Sequence, residues 1–154
     1  MSDSPTEQPS ISEPSGEHRS PFHELLDIHS SAADGKSRIE LFVDHRHLRS
    51  LGIAHGGVLA TLLDCALGMA ASSKAPADHY TVTVQLNCNF IRPAWEGETL
   101  IATGAALHVG RQTAVSRGEV HTTAGALVGS GSATCMFLAH TEKTRGKIHR
   151  REDS

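Results

Sequence analysis

Between residue 56 and about residue 73, apolar side chains recur at helical spacing. Leu59, Leu62, Leu63, Ala66, Leu67 and Ala70 fall on one stripe at i, i+3 and i+4 intervals, which predicts one long helix with a single buried face. Downstream the period changes. Residues 80–91, 99–109, 113–122 and 126–138 read as strands, separated by turn signals at 93–97, Gly110-Arg111 and Ala124-Gly125. Such short turns predict antiparallel neighbours. Upstream, Ile39, Leu41 and Val43 alternate with Arg38, Glu40 and Phe42 as in a half-buried strand, and Asp34-Gly35 before them is a hairpin turn signal. Residues 21–26 suit a short helix with proline in its first turn, and residues 27–31 a strand. A loop rich in His and Arg spans residues 44–54. One long helix among five or six antiparallel strands is an α+β pattern, in which the sheet must wrap the helix to bury it.

The chain's 154 residues suit one domain, read as residues 21–139. Residues 1–20 are acidic and Ser/Pro-rich, and residues 140–154 are polar with clustered charge, so both read as flexible tails. The N-terminal segment has no apolar core of a signal or anchor, which predicts a cytoplasmic protein. The apolar run from 58 to 71 is interrupted by Asp64 and falls short of the roughly 18 residues of a membrane span. A net charge of −3 with 4% aromatic residues argues against a nucleic-acid partner. Cys65, Cys88 and Cys135 are odd in number and widely spaced in apolar segments, so they read as buried free thiols.

Asp64 is the residue that needs a reason. A carboxylate in the middle of an apolar helix is a poor helix former and costly to bury unpaired. By helical counting, Gly57, Ala60, Thr61, Gly68 and Ala71 share its side, a strip of small residues that a ligand could approach. A structural alternative is open: Asp64 satisfies a nearby amide or arginine. The helix starts at His55-Gly56-Gly57, where first-turn N–H groups lack intrahelical acceptors and favour developing negative charge. Backbone donors for an oxyanion, together with a carboxylate to activate water or attack directly, suit acyl transfer.

His55-Gly56-Gly57 through Leu63-Asp64, preceded by Gly52 and followed by the strand ending NCNFIRPA (87–94), resembles the PaaI-type hotdog thioesterases over about residues 40–138. The resemblance implies an α+β hotdog fold and hydrolysis of an acyl- or arylacyl-CoA, with no cofactor beyond substrate CoA. It further implies a homodimer or homotetramer, with a Gly56 N–H that polarises the thioester carbonyl. Asp64 would be base or nucleophile, and Thr83 would match a hydroxyl residue that a partner subunit contributes beside the attacking water. His55 would shape the helix entrance. Each site would then hold Gly56 and Asp64 of one chain with Thr83 of the other. The family usually carries Asn or Gln six residues before the histidine. Here that position is Arg49, which donates hydrogen bonds but accepts none. Arg49 could contact CoA phosphate or the oxyanion, with His47 or Ser50 taking the missing role. Gly57 and Arg111, the latter in the Gly110-Arg111 turn, are further candidates for substrate and CoA binding. A metal is not expected, since Asp44, His45 and His47 have no matching further ligands. Two alternatives stand beside hydrolysis: a hotdog hydratase acting on an enoyl or hydroxyacyl thioester, and a non-catalytic acyl-CoA-binding protein.

Overall fold

The computed structural model of the chain describes residues 20–148; the expected tails lie outside it as far as residue 19 and from residue 149 on. Helix α1 (Pro21–Leu26) opens with proline, and the Ser20 hydroxyl accepts the His23 N–H at 3.2 Å. Asp27 then turns left-handed at φ 54°, so the strand expected from residue 27 begins two residues later, as β1 (His29–Ala33). Asp34 and Gly35 both take positive φ and fold β1 onto β2 (Lys36–Phe42) through a two-residue hairpin. Along β2, Ser37, Ile39 and Leu41 are buried while Lys36, Glu40 and Phe42 face out.

Two 3-10 turns, His45–His47 and Ser50–Gly52, lead into the long helix α2 (Gly56–Ser72). Then come β3 (His79–Phe90), β4 (Thr99–Val109), β5 (Thr113–Thr122) and β6 (Leu127–Ala139). A short helix, α3 (Glu142–Ile148), lies in the polar segment read as a tail.

The six strands form one antiparallel sheet in the order β1-β2-β4-β5-β6-β3. One expectation fails here. β3 and β4 are consecutive and closely connected, yet β4 pairs with β2 and β5, while β3 pairs with β6 at the far edge. The reason lies in α2, which crosses the sheet before β3 begins, so the chain re-enters on the other side. The return segment is held by the loop before α2 rather than by a hairpin: Ala54 N–H donates to Ala94 O at 2.8 Å, and Ile53 bridges Trp95. Bulges at 83/85, 106/108 and 120/121 bend three strand pairs, and the sheet curls around α2, which touches all six strands.

Every residue of the predicted stripe on α2 is buried, and so are Val58 and Ala71. The helix rests on nearly bare backbone, because Gly104, Gly118 and Gly131 stand opposite one another across β4, β5 and β6. A Cβ on Gly104 would sit 2.4 Å from the Ala66 carbonyl oxygen. Beside it on β2, the buried Ser37 hydroxyl donates to that same oxygen at 2.6 Å, pinning the turn that carries Asp64. Ser37→Ala is expected to cost about 1 kcal/mol, because the carbonyl keeps its helical bond and no orphan is left. Urea unfolding measures it.

Candidate active site

The entrance to α2 is set by His55. Its backbone is extended and its Nδ1 accepts the Gly57 N–H at 2.8 Å, capping the helix. A ring nitrogen that accepts carries no proton, so the neutral imidazole keeps its hydrogen on Nε2. Val58 N–H goes to the His55 carbonyl at 2.9 Å. The expected pair of free glycine amides is therefore reduced to one: among the described residues, Gly56 N–H is the first-turn donor without an acceptor. A Cβ at 56 would make only ordinary contact with the Phe90 ring at 3.5 Å, whereas one at 57 would stand 3.0 Å from the His55 Nδ1. A side chain at 57 would thus crowd the capping ring, and Gly56 leaves clearance over its own N–H.

Asp64 lies half-buried on the outer strip of α2 with Ala60, Thr61 and Gly68. Ala71, expected on this strip, is fully buried, so the strip ends at Gly68. The Asp64 carboxylate has no hydrogen bond or ion pair among the described residues, which removes the purely structural explanation for it. Its charge is felt by all three cysteines. Burial, and then Asp64, pushes the Cys65 thiol up to about 11 and raises Cys88. Cys135 is raised by burial and by Asp64, against a hydrogen bond from Thr83 that lowers it. Only Cys135 is buried; Cys65 and Cys88 are half-buried, which corrects the expectation for them. Cys65 Sγ sits 3.2 Å from His23 Nε2 on α1 and, protonated at neutral pH, is no nucleophile.

Cys88 on β3 and Cys135 on β6 place Asp64 toward the β3 side of the sheet. Thr83 stands opposite Cys135 in register, and its Oγ1 lies 3.7 Å from where a Cβ of Gly68 would be. Asp64 and Thr83 of the same chain therefore share one neighbourhood, one helical turn apart. Gly56 does not belong to it, because eight residues of α2 correspond to about 12 Å of rise. Along the helix the Gly56 N–H and the Asp64 carboxylate are thus about two turns apart. That spacing was available from the sequence, and it sets Gly56 apart from the Asp64 and Thr83 pair of the same chain.

Arg49 and Arg111 are exposed, Arg49 ahead of the second 3-10 turn and Arg111 between β4 and β5. Neither side chain has an acceptor among the described residues. His47 cannot replace the family's amide side chain: it is 1% exposed, its Nδ1 accepts the Asp44 N–H at 3.0 Å, and its Nε2 donates to Leu26 O at 3.0 Å. Asp44, weighed as a metal ligand, is taken by Arg46, whose Nη2 lies 2.6 Å away. Among the described residues, no group of three or more His, Cys, Asp or Glu is placed to hold a metal, and no helix is long and apolar enough to cross a membrane. Sequence reading missed a groove of about 350 Å³ beside this entrance, walled by Phe22 and Leu26 of α1. The exposed apolar spacing of α1 was its one sequence signal.

A curved antiparallel sheet around one helix, with an unpartnered carboxylate on that helix's open strip, defines a hotdog-fold protein equipped for acyl transfer. The chain belongs to the Thioesterase superfamily, whose family model matches residues 51–128. It is 33% identical to human acyl-coenzyme A thioesterase 13 over 68% of this chain and 74% of that protein. A putative esterase of Archaeoglobus fulgidus is 28% identical over 72% of this chain and 71% of its own length. Among solved structures, a mutant of the phenylacetic acid degradation protein PaaI from Thermus thermophilus superposes with a TM-score of 0.71 at 30% identity, covering 77% of this chain and 100% of that one. The expected PaaI-type resemblance, the hotdog fold and membership among thioester hydrolases are borne out. The matched region includes His55, Gly56, Gly57, Asp64, Thr83 and Arg111, while His47, Arg49 and Ser50 lie just ahead of it.

Proposed function

We propose that the protein hydrolyses an acyl-CoA or arylacyl-CoA thioester to free acid and CoA, at a site built between two copies of the chain. The observation that carries this reading is the Asp64 carboxylate, unpartnered on the open strip of α2 and about 12 Å along the helix from the free Gly56 N–H. Gly56 N–H of one copy polarises the thioester carbonyl and stabilises the oxyanion. Asp64 and Thr83 of the other copy face the carbonyl carbon. Asp64 either takes a proton from water, whose oxygen bonds to that carbon, or attacks the carbon itself to give an anhydride that water then opens. In both routes the C–S bond breaks and the CoA thiolate leaves to be protonated. No cofactor enters either route. Arg49 and Arg111, free to donate, would meet the phosphates of CoA.

The open edge of β3 supports the composite site, since two copies could pair along it. Among the described residues β3 is an edge strand bonded to β6 alone, its residues from Tyr80 to Phe90 carry no charge and no proline, and it lies on the Asp64 side. Such an unprotected edge is a template for a second copy. The hydratase alternative loses ground, because the histidine at this entrance has its Nδ1 lone pair committed to the cap.

Thiol release from short-, medium-, long-chain and aromatic acyl-CoAs tests the activity. Release matched by free acid for at least one substrate is expected; tight binding with no release from any would sink the reading in favour of a sensor. The composite site has its own test. Gly56→Pro removes the one amide at a position where helices accept proline. Mixed and reassembled with Asp64→Asn, it is expected to recover about a quarter of wild-type activity, because half of the dimers are hybrids with one intact site each. No recovery from a demonstrated hybrid would return Gly56 and Asp64 to the same chain.

A further inference from the structure

We infer that the groove between α1 and the start of α2 seats the acyl chain of the substrate, which makes Phe22 and Leu26 determinants of chain length; this rests on the thioesterase reading above. The groove holds about 350 Å³, at the lower end of the roughly 300 to 1,000 Å³ of small-molecule sites, so it fits an acyl chain better than a whole acyl-CoA. Phe22, Leu26, Leu48 and Val58 line it together with His55 and Gly57, the two sequence neighbours of Gly56, whose N–H would bind the carbonyl.

The polar side chains that line it are largely engaged within the protein. The Thr61 hydroxyl donates to Gly57 O at 2.8 Å. His47 has both ring nitrogens engaged. Arg46 is held by both Asp44 oxygens, and its Nη1 donates to Leu25 O at 3.2 Å. Hydrogen bonds from that guanidinium hold the Asp44 carboxyl well below the usual carboxylate range, which marks the pair as ionised and mutually neutralised. Among the described residues that line the groove, the one cationic side chain is paired to a carboxylate, so a phosphate gains little there. An apolar occupant loses nothing. Phe22, which lines this groove, is 52% exposed.

The test is kcat/KM of the full chain on straight-chain acyl-CoAs of four to fourteen carbons, read as the ratio of the twelve-carbon to the four-carbon substrate. Burying a methylene is worth about a factor of four, so closing the groove to four of them could cost up to about 10²-fold. Leu26→Trp, which fills the groove, and Phe22→Asp, which charges its wall, are each expected to lower the ratio at least about tenfold. Leu26 packs against the core, so Phe22→Asp at an exposed position keeps the test available if the tryptophan variant fails to fold. An unchanged ratio, or both substrates falling in parallel, would overturn the inference. Should the wild type hydrolyse nothing, thioether analogues of the same acyl-CoAs separate the two claims. Affinity rising with chain length in the wild type but not in Phe22→Asp supports the groove even then; affinity independent of length rejects it.

Discussion

Asp64→Asn is expected to lower kcat by about 10² to 10⁴, the range for loss of a positioned general base. Thiol release under saturating substrate measures it. The carboxylate has no hydrogen bond or ion pair to lose among the described residues, so the melting temperature should stay level or rise, as when a functional charge is removed from a half-buried position. A third readout does not depend on turnover. A negative charge beside a thiol disfavours its thiolate, and Asp64 acts in this way on Cys65, Cys88 and Cys135. Neutral asparagine removes that field, so the midpoint of Cys65 alkylation against pH, near 11 in the wild type, should move down. Near-normal turnover would remove Asp64 from the mechanism. An unmoved alkylation midpoint would mean that the carboxylate is elsewhere than on this face.

Gly104→Ala should strongly destabilise the contact between the sheet and α2. The added methyl meets the Ala66 carbonyl oxygen at 2.4 Å and the Ser37 hydroxyl at 2.7 Å. The first is helix backbone and the second is fixed by its bond to that same oxygen, so neither can step aside without lifting α2 from the sheet. The expected cost is about 3 kcal/mol or more, at the upper end for overpacking. Because Ala66 is two residues from Asp64, turnover should fall in the fraction that remains folded. Urea unfolding and kcat per folded molecule together test this. A loss below about 1 kcal/mol would show that the helix tolerates a wider gap than its contacts imply.

The elements themselves were legible in the sequence because each is written in a short-range pattern. The predicted stripe on α2 is buried throughout, the strands expected at 99–109 and 113–122 appear with those bounds, and Asp34-Gly35 makes its hairpin. Asp64 was legible for the same reason, as a local violation of an apolar period. The family followed from the glycines and the carboxylate at fixed spacing.

Other features needed the chain folded. Periodicity says that a strand has one buried face but not which strand lies beside it, so the partnership of β3 with β6 was decided by where α2 crosses the sheet. The Gly57 amide looked free until the His55 ring closed on it, and His47 looked available until burial committed both its nitrogens. Ala71 stood on the open side by counting, but the wrapped sheet buried it. Sequence by itself determined the elements, the carboxylate and the chemistry it suits, because those depend on residue type and on neighbours a few positions away. Tertiary structure alone decided the strand order, the remaining free amide and the groove under α1, because each is a contact between segments far apart in the chain, and local pattern carries no record of distance.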